Sequence, residues 1–412
     1  MTNCTVLHVA LCMLCINCTR QAKMLEDNYI NEIDIMADIS NSRKVNLSAI
    51  ASCIEYCLLE TDERYLVTPS MSVYCSKEYV VTIGNQTGNR DACYVFDRKT
   101  GSFVRQISSL GQGPGEYQQA IQAFWDGNLE QVCLWGNNQF LFFNLDGTLS
   151  HQMNRFNHAM NRFVACEDFY AGYIPNSLGN STVRIAFYDK SGALIDSIPN
   201  DRTWNKTHTW TVSSVDSWLY TFSKNLYFKE LYCDTLYQIK DFTLYPRYVF
   251  NTGGRTVPYE MQGDGRYDFL GQMRHKEDIA VDRYEKYVNI LKVFEDNKFL
   301  YFTVDYRKKN YPAIYDKTED RLQIMPPVSI PPMKDRTWKI PLYGFENDLD
   351  GGLPFWPQQM ISDKEMMCVY TAEELLKLDV STITNEKLKN VLNSLNEDSN
   401  PIVAVVTLKN EN

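Results

Sequence analysis

Five histidines and twelve cysteines are the side chains of this 412-residue chain best suited to hold a metal, move a proton or act as a nucleophile. The histidines are His8, His151, His158, His208 and His275, and none belongs to a His-Glu-x-x-His helix. No Gly-x-Ser-x-Gly elbow is present. His151 and His158 stand seven apart, a spacing open to a metal pair, but they read as loop residues where two structural units join. Asp348-x-Asp350-Gly351 begins like a calcium loop, yet the later ligands and closing Glu of that motif are missing, so the acids read as turn caps. Cys12-x-x-Cys15-x-x-Cys18 has part of an iron–sulfur spacing, but it sits in an apolar segment with no fourth ligand. The other eight cysteines (Cys53, Cys57, Cys75, Cys93, Cys133, Cys166, Cys233 and Cys368) form no Cys-x-x-Cys pair and read as buried free thiols. No catalytic set, metal site or cofactor is expected.

Gly111-Gln112-Gly113-Pro114-Gly115-Glu116-Tyr117 is the most distinctive run. It is not a dinucleotide fingerprint, because the third glycine position falls on Glu116, and no Gly-Lys-Ser/Thr follows to make a phosphate loop. Its glycines and its fixed proline suit a tight connection between units of a repeat.

The elements around that run repeat. Tyr94–Val104, Phe140–Leu149 and Ile185–Ile195 each read as an apolar strand, an Asp or Asn, a Gly a few residues later, and a second strand. The Asp or Asn caps the turn, and the Gly supplies the positive φ that closes it. Gly101, Gly147 and Gly192 are spaced 46 and 45 residues apart, the period of β-propeller blades. Fainter echoes follow at Leu236–Phe250, Phe299–Asp316, Met366–Tyr370 and Ile402–Val406. Division by the early period gives eight units, but the later segments are longer, so six blades is the expectation. Thr371-Ala372-Glu373-Glu374 reads as a capping box, and Leu388, Val391, Leu392 and Leu395 carry helical spacing. A helical insertion is therefore expected over about 371–398, inside the last blade. The fold class is all-β, a six-bladed propeller over 44–412.

Ahead of it, Val6 to Ile16 is too short to cross a bilayer and fits the core of a secretory signal. Residues 1–18 read as a signal peptide of lipoprotein type with Cys18 as the acylated residue, and 19–43 as a linker. The chain carries 41 Lys+Arg against 51 Asp+Glu, a net charge of −10, which argues against a nucleic-acid partner. Its 44% hydrophobic and 22% charged residues exclude disorder as its main character, and its 26 tyrosines lean towards strands.

The Gly111–Tyr117 run resembles the hallmark of six-bladed β-propeller lipoproteins of Gram-negative gut bacteria, related in style to NHL-repeat propellers. The segment Val45–Thr61 resembles that family's opening strand, and Asn347–Pro357 and Asn400–Lys409 resemble its closing motifs. The resemblance implies a cell-envelope protein and carries over no catalytic residues.

In a propeller, loops that enter the innermost strands gather at one mouth of the central channel. On that footing Gln112, Glu116, Tyr117, Asp348, Asp350 and Trp356 are expected to share an acidic, aromatic cleft for a glycan or peptide, with core packing and turn capping as the competing account. Trp204, His208 and Trp210 make a second, weaker patch. The function expected is a non-catalytic binding or scaffold module, outer-membrane or periplasmic, touching the membrane only through a lipid anchor, with an envelope protein complex as an alternative partner to the glycan or peptide. The alternative is a propeller enzyme, a lyase or lactone hydrolase with a channel metal, against which the scarcity of His counts.

Overall fold

Continuous apolar runs such as Phe140–Phe143 and Ile185–Tyr188 cannot have one face in water, and the fold buries both faces of them. A computed structural model describes residues 30–409 apart from 69–70, 85–92, 110, 114, 118, 136–138, 155, 159, 161, 208–215, 269–280 and 332–340. The signal peptide, Cys18, His208, Trp210 and His275 lie outside the described residues.

Chain order begins with β1 (Asn31–Asp34), helix α1 (Ile35–Asp38) and β2 (Ala51–Leu58). Blade 1 is β3 (Ser72–Cys75), β4 (Tyr79–Ile83), β5 (Cys93–Asp97) and β6 (Phe103–Ile107). Blade 2 is β7 (Gln119–Asp126), β8 (Gln131–Trp135), β9 (Gln139–Asn144) and β10 (Leu149–Asn154). Blade 3 is β11 (Arg162–Ala165), β12 (Phe169–Tyr173), β13 (Val183–Asp189) and β14 (Leu194–Pro199). Blade 4 is β15 (Ser217–Phe222), β16 (Asn225–Glu230), β17 (Thr235–Lys240) and β18 (Thr243–Asn251). A small hairpin, β19 (Tyr267–Asp268) with β20 (Val281–Asp282), precedes blade 5. Blade 5 is β21 (Asn289–Glu295), β22 (Phe299–Tyr306), β23 (Lys309–Asp316) and β24 (Arg321–Ile324), with β25 (Val328–Ser329) added on β23. Blade 6 is β26 (Gln359–Met360), β27 (Glu365–Tyr370) and β28 (Ile402–Leu408), completed by β2.

Each blade is an antiparallel meander that starts at the axis and ends at the rim. The closing strand β2 pairs antiparallel with β28, Ala51 opposite Leu408 and Leu58 opposite Ile402. The two ends of the chain thus share one sheet and shut the ring. One apolar cluster fills each boundary between neighbouring blades, from blades 1 and 2 round to blades 6 and 1. Six boundaries for six blades is the signature of a closed ring rather than a sandwich.

Residues 31–38 fall in the stretch that reads as linker, yet β1 runs parallel on the outer edge of β18, and Ile33 and Ile35 are buried in the cluster between blades 4 and 5. Asp34 caps α1 through the backbone N–H groups of Met36 and Ala37 at 3.1 and 3.0 Å. The Arg43 N–H then reaches the Ile324 carbonyl at 2.9 Å, so the segment straps blade 5 on its way to blade 6.

Gly101, Gly147 and Gly192 take φ values of 75°, 86° and 87° in the outer hairpins of blades 1, 2 and 3. The later blades close hairpins differently. Ser223–Lys224, Asp241–Phe242 and Arg307–Lys308 are two-residue turns with both φ values positive. At the outer hairpin that carries the glycine in blades 1 to 3, blade 4 has Asp241–Phe242 and blade 5 has Asp320 at φ 48°, so the glycine period fades after residue 192. The insertion joins β27 to β28. Helix α2 (Ala372–Leu375) starts with the full Thr371/Glu374 capping box, and α3 (Glu386–Ser394) buries Leu388 and Leu392 on the cluster between blades 5 and 6.

Candidate functional site in the central channel

The innermost strand of every blade contributes to one axial cavity of about 2100 Å³. Its wall carries Trp125 from blade 2, Trp218 and Tyr220 from blade 4, and Tyr343 and Trp356 from the connection into blade 6. Trp218 meets Phe294 edge-on at 5.3 Å, and Trp356 stacks on Phe345 at 5.7 Å and leans on Tyr343 at 6.2 Å. The Trp356 indole N–H donates to the Thr303 hydroxyl at 3.1 Å, which fixes its ring plane. Blades 4, 5 and 6 together therefore present one rigid aromatic wall. Between blades 6 and 1 the Gln359 amide pairs with the Cys75 backbone, accepting at 2.9 Å and donating at 3.0 Å, and joins two innermost strands across the lining.

The buried carboxylate of that lining is neutralised. Glu295 accepts from Arg247 at 2.7 Å and the Tyr220 hydroxyl at 2.9 Å on one oxygen, and from Lys317 at 3.0 Å on the other. Burial alone disfavours the Arg247 charge, and the Glu295 carboxylate beside it more than offsets that, so its pKa lies above the usual range. Burial, then the Glu295 charge, pushes the Tyr220 hydroxyl up and keeps it a donor. Glu365 is likewise held by Arg98 at 2.6 and 3.1 Å, which ties blade 6 to blade 1. The acids of the insertion that reach the cavity, Glu373, Glu374, Glu397 and Asp398, stand at the mouth where β27 ends.

Of the six residues expected to share a cleft, Trp356 is the one that lines this cavity. Gln112 is exposed in its turn. Glu116 accepts from the Gly113 N–H at 2.6 Å and so closes that same turn. Tyr117 is fully buried between blades 1 and 2. Asp348 accepts from the Ser48 N–H at 2.9 Å and the Ser48 hydroxyl at 2.5 Å; burial works to raise its pKa, and these bonds outweigh it and leave it lowered. Asp350 is buried against Tyr56 of the outermost strand β2 at 3.3 Å and caps the Gly352 N–H at 2.9 Å, and burial raises its pKa. The structure does not bring the six together. Tyr117 packs in the cluster between blades 1 and 2, and Trp356 in the one between blades 5 and 6.

His151 stacks on Phe142 at 4.2 Å, while His158 bonds the Tyr188 hydroxyl at 2.6 Å, so each serves blade packing. Trp204 packs edge-on against Tyr259 at 5.2 Å. Of the eight described cysteines Cys53 is exposed and the others are buried free thiols, burial pushing Cys57 and Cys368 up to about 12 and Cys75 to about 11. Among the described residues no three His, Cys, Asp or Glu side chains converge on a point that could hold a metal ion. None of the described helices is long and apolar enough to cross a membrane.

Six meandering sheets in a closed ring around an axial cavity define a six-bladed β-propeller. The chain belongs to the family described as domain of unknown function DUF4934, whose model matches residues 30–407. It is similar in structure to a "Putative exported protein" from Bacteroides fragilis NCTC 9343, with 19% identity over 92% of this chain and 100% of that one, at a TM-score of 0.62. A member of the DUF4221 family from Bacteroides vulgatus ATCC 8482 matches with 11% identity over 87% of this chain and 97% of its own, at a TM-score of 0.47. No curated protein matches.

Proposed function

We propose that the protein is a non-catalytic binding module of the cell envelope whose central channel takes an oligosaccharide. The single observation behind this is the aromatic wall of Trp125, Trp218, Tyr220, Tyr343 and Trp356 around a cavity wide enough for several sugar rings. Apolar sugar faces stack on such rings, while amides such as Gln358 and Asn128 on the same lining offer hydrogen bonds to hydroxyls. Glu295 and Glu365 are both held in ion pairs, the first by Arg247 and Lys317 and the second by Arg98. Envelope placement rests on the apolar run 6–16 ending at Cys18, and on the fold shared with the Bacteroides fragilis protein of exported description. On this reading Cys18 carries the lipid anchor, and the NHL-like lipoprotein resemblance describes the lineage.

The test is a titration of the chain from residue 19 onward with a panel of oligosaccharides and extended peptides, followed by tryptophan fluorescence and calorimetry. A saccharide ligand should quench the channel tryptophans, and Trp125→Ala and Trp218→Ala should each weaken it by about 5- to 30-fold, on the order of 1–2 kcal/mol. Binding of peptides alone, or affinity unchanged in both variants with their folds intact, would refute the assignment.

A further inference from the structure

Three of the five rings of the channel wall sit on innermost strands, Trp125 on β7 and Trp218 and Tyr220 on β15. Tyr343 and Trp356 have no strand beneath them. They flank a single bridge in the connection into blade 6, where Phe345 and Phe355 exchange backbone hydrogen bonds at 2.9 and 3.0 Å. A large side chain on irregular backbone keeps rotamer freedom that a binding platform must give up. Some other group therefore has to set the planes of these two rings.

That group is on β22. The strand is buried from Leu300 to Tyr306, and its alternation divides it into two faces. Leu300, Phe302 and Val304 enter the cluster between blades 4 and 5. Tyr301, Thr303 and Asp305 take the opposite face, where Tyr301 joins the cluster between blades 5 and 6. All three end in polar groups, and each holds a segment outside the strands of the blade. The Tyr301 hydroxyl donates to Asp296, in the turn before β22, at 2.5 Å. Asp305 accepts from Arg266, just ahead of the small hairpin, at 3.2 Å. Between them, the Thr303 hydroxyl accepts from the Trp356 indole N–H at 3.1 Å and lies 3.5 Å from the Tyr343 hydroxyl. One buried oxygen thus meets both of the rings that lack a strand. Threonine suits the task, because its branched Cβ restricts χ1 and so fixes where the hydroxyl points.

We propose that Thr303 is the positioning residue of the channel, the group that holds Tyr343 and Trp356 in the planes on which a saccharide stacks. This deepens the saccharide reading above and rests on it. Thr303 is itself buried, so it acts through the two rings. With both rings held, a ligand meets this side of the wall already ordered and loses no affinity to fixing it.

The experiment uses the chain from residue 19 onward with two variants. Thr303→Val keeps the shape and removes the acceptor, and Thr303→Ser keeps the acceptor. Binding of cellohexaose, maltohexaose and mannohexaose is measured by calorimetry, and exchange of the Trp356 indole N–H by NMR on protein with isotope-labelled tryptophan. Thr303→Val should weaken hexasaccharide binding about tenfold and speed the indole exchange, whereas Thr303→Ser should stay within about threefold of the parent in affinity. Arg184→Met, which removes a buried charge between blades 3 and 4, should lower stability and leave affinity unchanged. Hexasaccharide affinity or indole exchange that Thr303→Val leaves unaltered, affinity that Thr303→Ser fails to retain, or an equal loss in Arg184→Met overturns the proposal and leaves the saccharide reading standing. If a polyproline decamer binds in a Thr303-dependent way and no hexasaccharide does, the positioning role stands and the saccharide reading falls. If none of these probes binds, both fall.

Discussion

Arg184 of β13 and Glu230 of β16 pair across the boundary between blades 3 and 4, and both side chains are almost fully buried. Tyr259 donates to the second Glu230 oxygen at 2.6 Å. Burial penalises the guanidinium, and Glu230 more than compensates, so the pKa of Arg184 is raised and its charge is kept. Removing one partner leaves the other charge stranded. Arg184→Met should therefore cost about 3–5 kcal/mol of stability, read as a fall in the denaturant midpoint, and adding Glu230→Gln should recover part of it. An unchanged midpoint would show that the pair contributes nothing. The exposed pair of Lys224 and Glu167 is the contrast, since its removal should cost less than about 1 kcal/mol. Residues of this kind leave little trace in a sequence. Arg184 and Glu230 are 46 positions apart and ordinary in their local context, and Tyr117 reads as a loop aromatic until the boundary it fills is known.

The outer hairpin turns of blades 1, 2 and 3 are the elements most legible in the sequence, and each of the three is held by an acid that accepts from its own turn. The backbone and then the hydroxyl of Thr100 lower the pKa of Asp97; the hydroxyl of Thr148 does most for Asp146, and that of Ser191 for Asp189. A depressed carboxylate stabilises the fold above its ordinary pKa of 3.8 and stops doing so as pH falls through the lowered value. These three turns should thus hold between pH 5 and 8 and loosen below about pH 4. Amide exchange at Thr100, Thr148 and Ser191, compared at pH 5 and pH 3, checks this, and equal protection at both would contradict it. The strands between the turns were readable because the middle of each blade is apolar on both sides. The channel wall was not, because its strands differ widely in length, from two residues in β26 to eight in β7, and because the register shift between Leu291 and Phe294 of β21 breaks the alternation that would announce a lining face. One usable signal was present: the strand after each connection between blades must be the innermost one, which points to Trp125 and Trp218.

At the scale of the whole molecule the ring depends on β2. Its residues pair with β28 over the full length of both strands, and Ile54 and Cys57 enter the clusters on either side of blade 6. A chain that starts at residue 59 should lose cooperative unfolding and bind hydrophobic dyes at neutral pH, whereas one that starts at residue 30 should melt as the full chain does. A sharp single transition in the shorter form would refute the role assigned to the closing strand. The arrangement also dictates an order of assembly. During synthesis β2 emerges long before β28, its mate, so a ribbon with open hydrogen-bonding groups must wait for the five intervening blades. Contacts between such distant positions form slowly, and the waiting ribbon is a docking edge for stray strands.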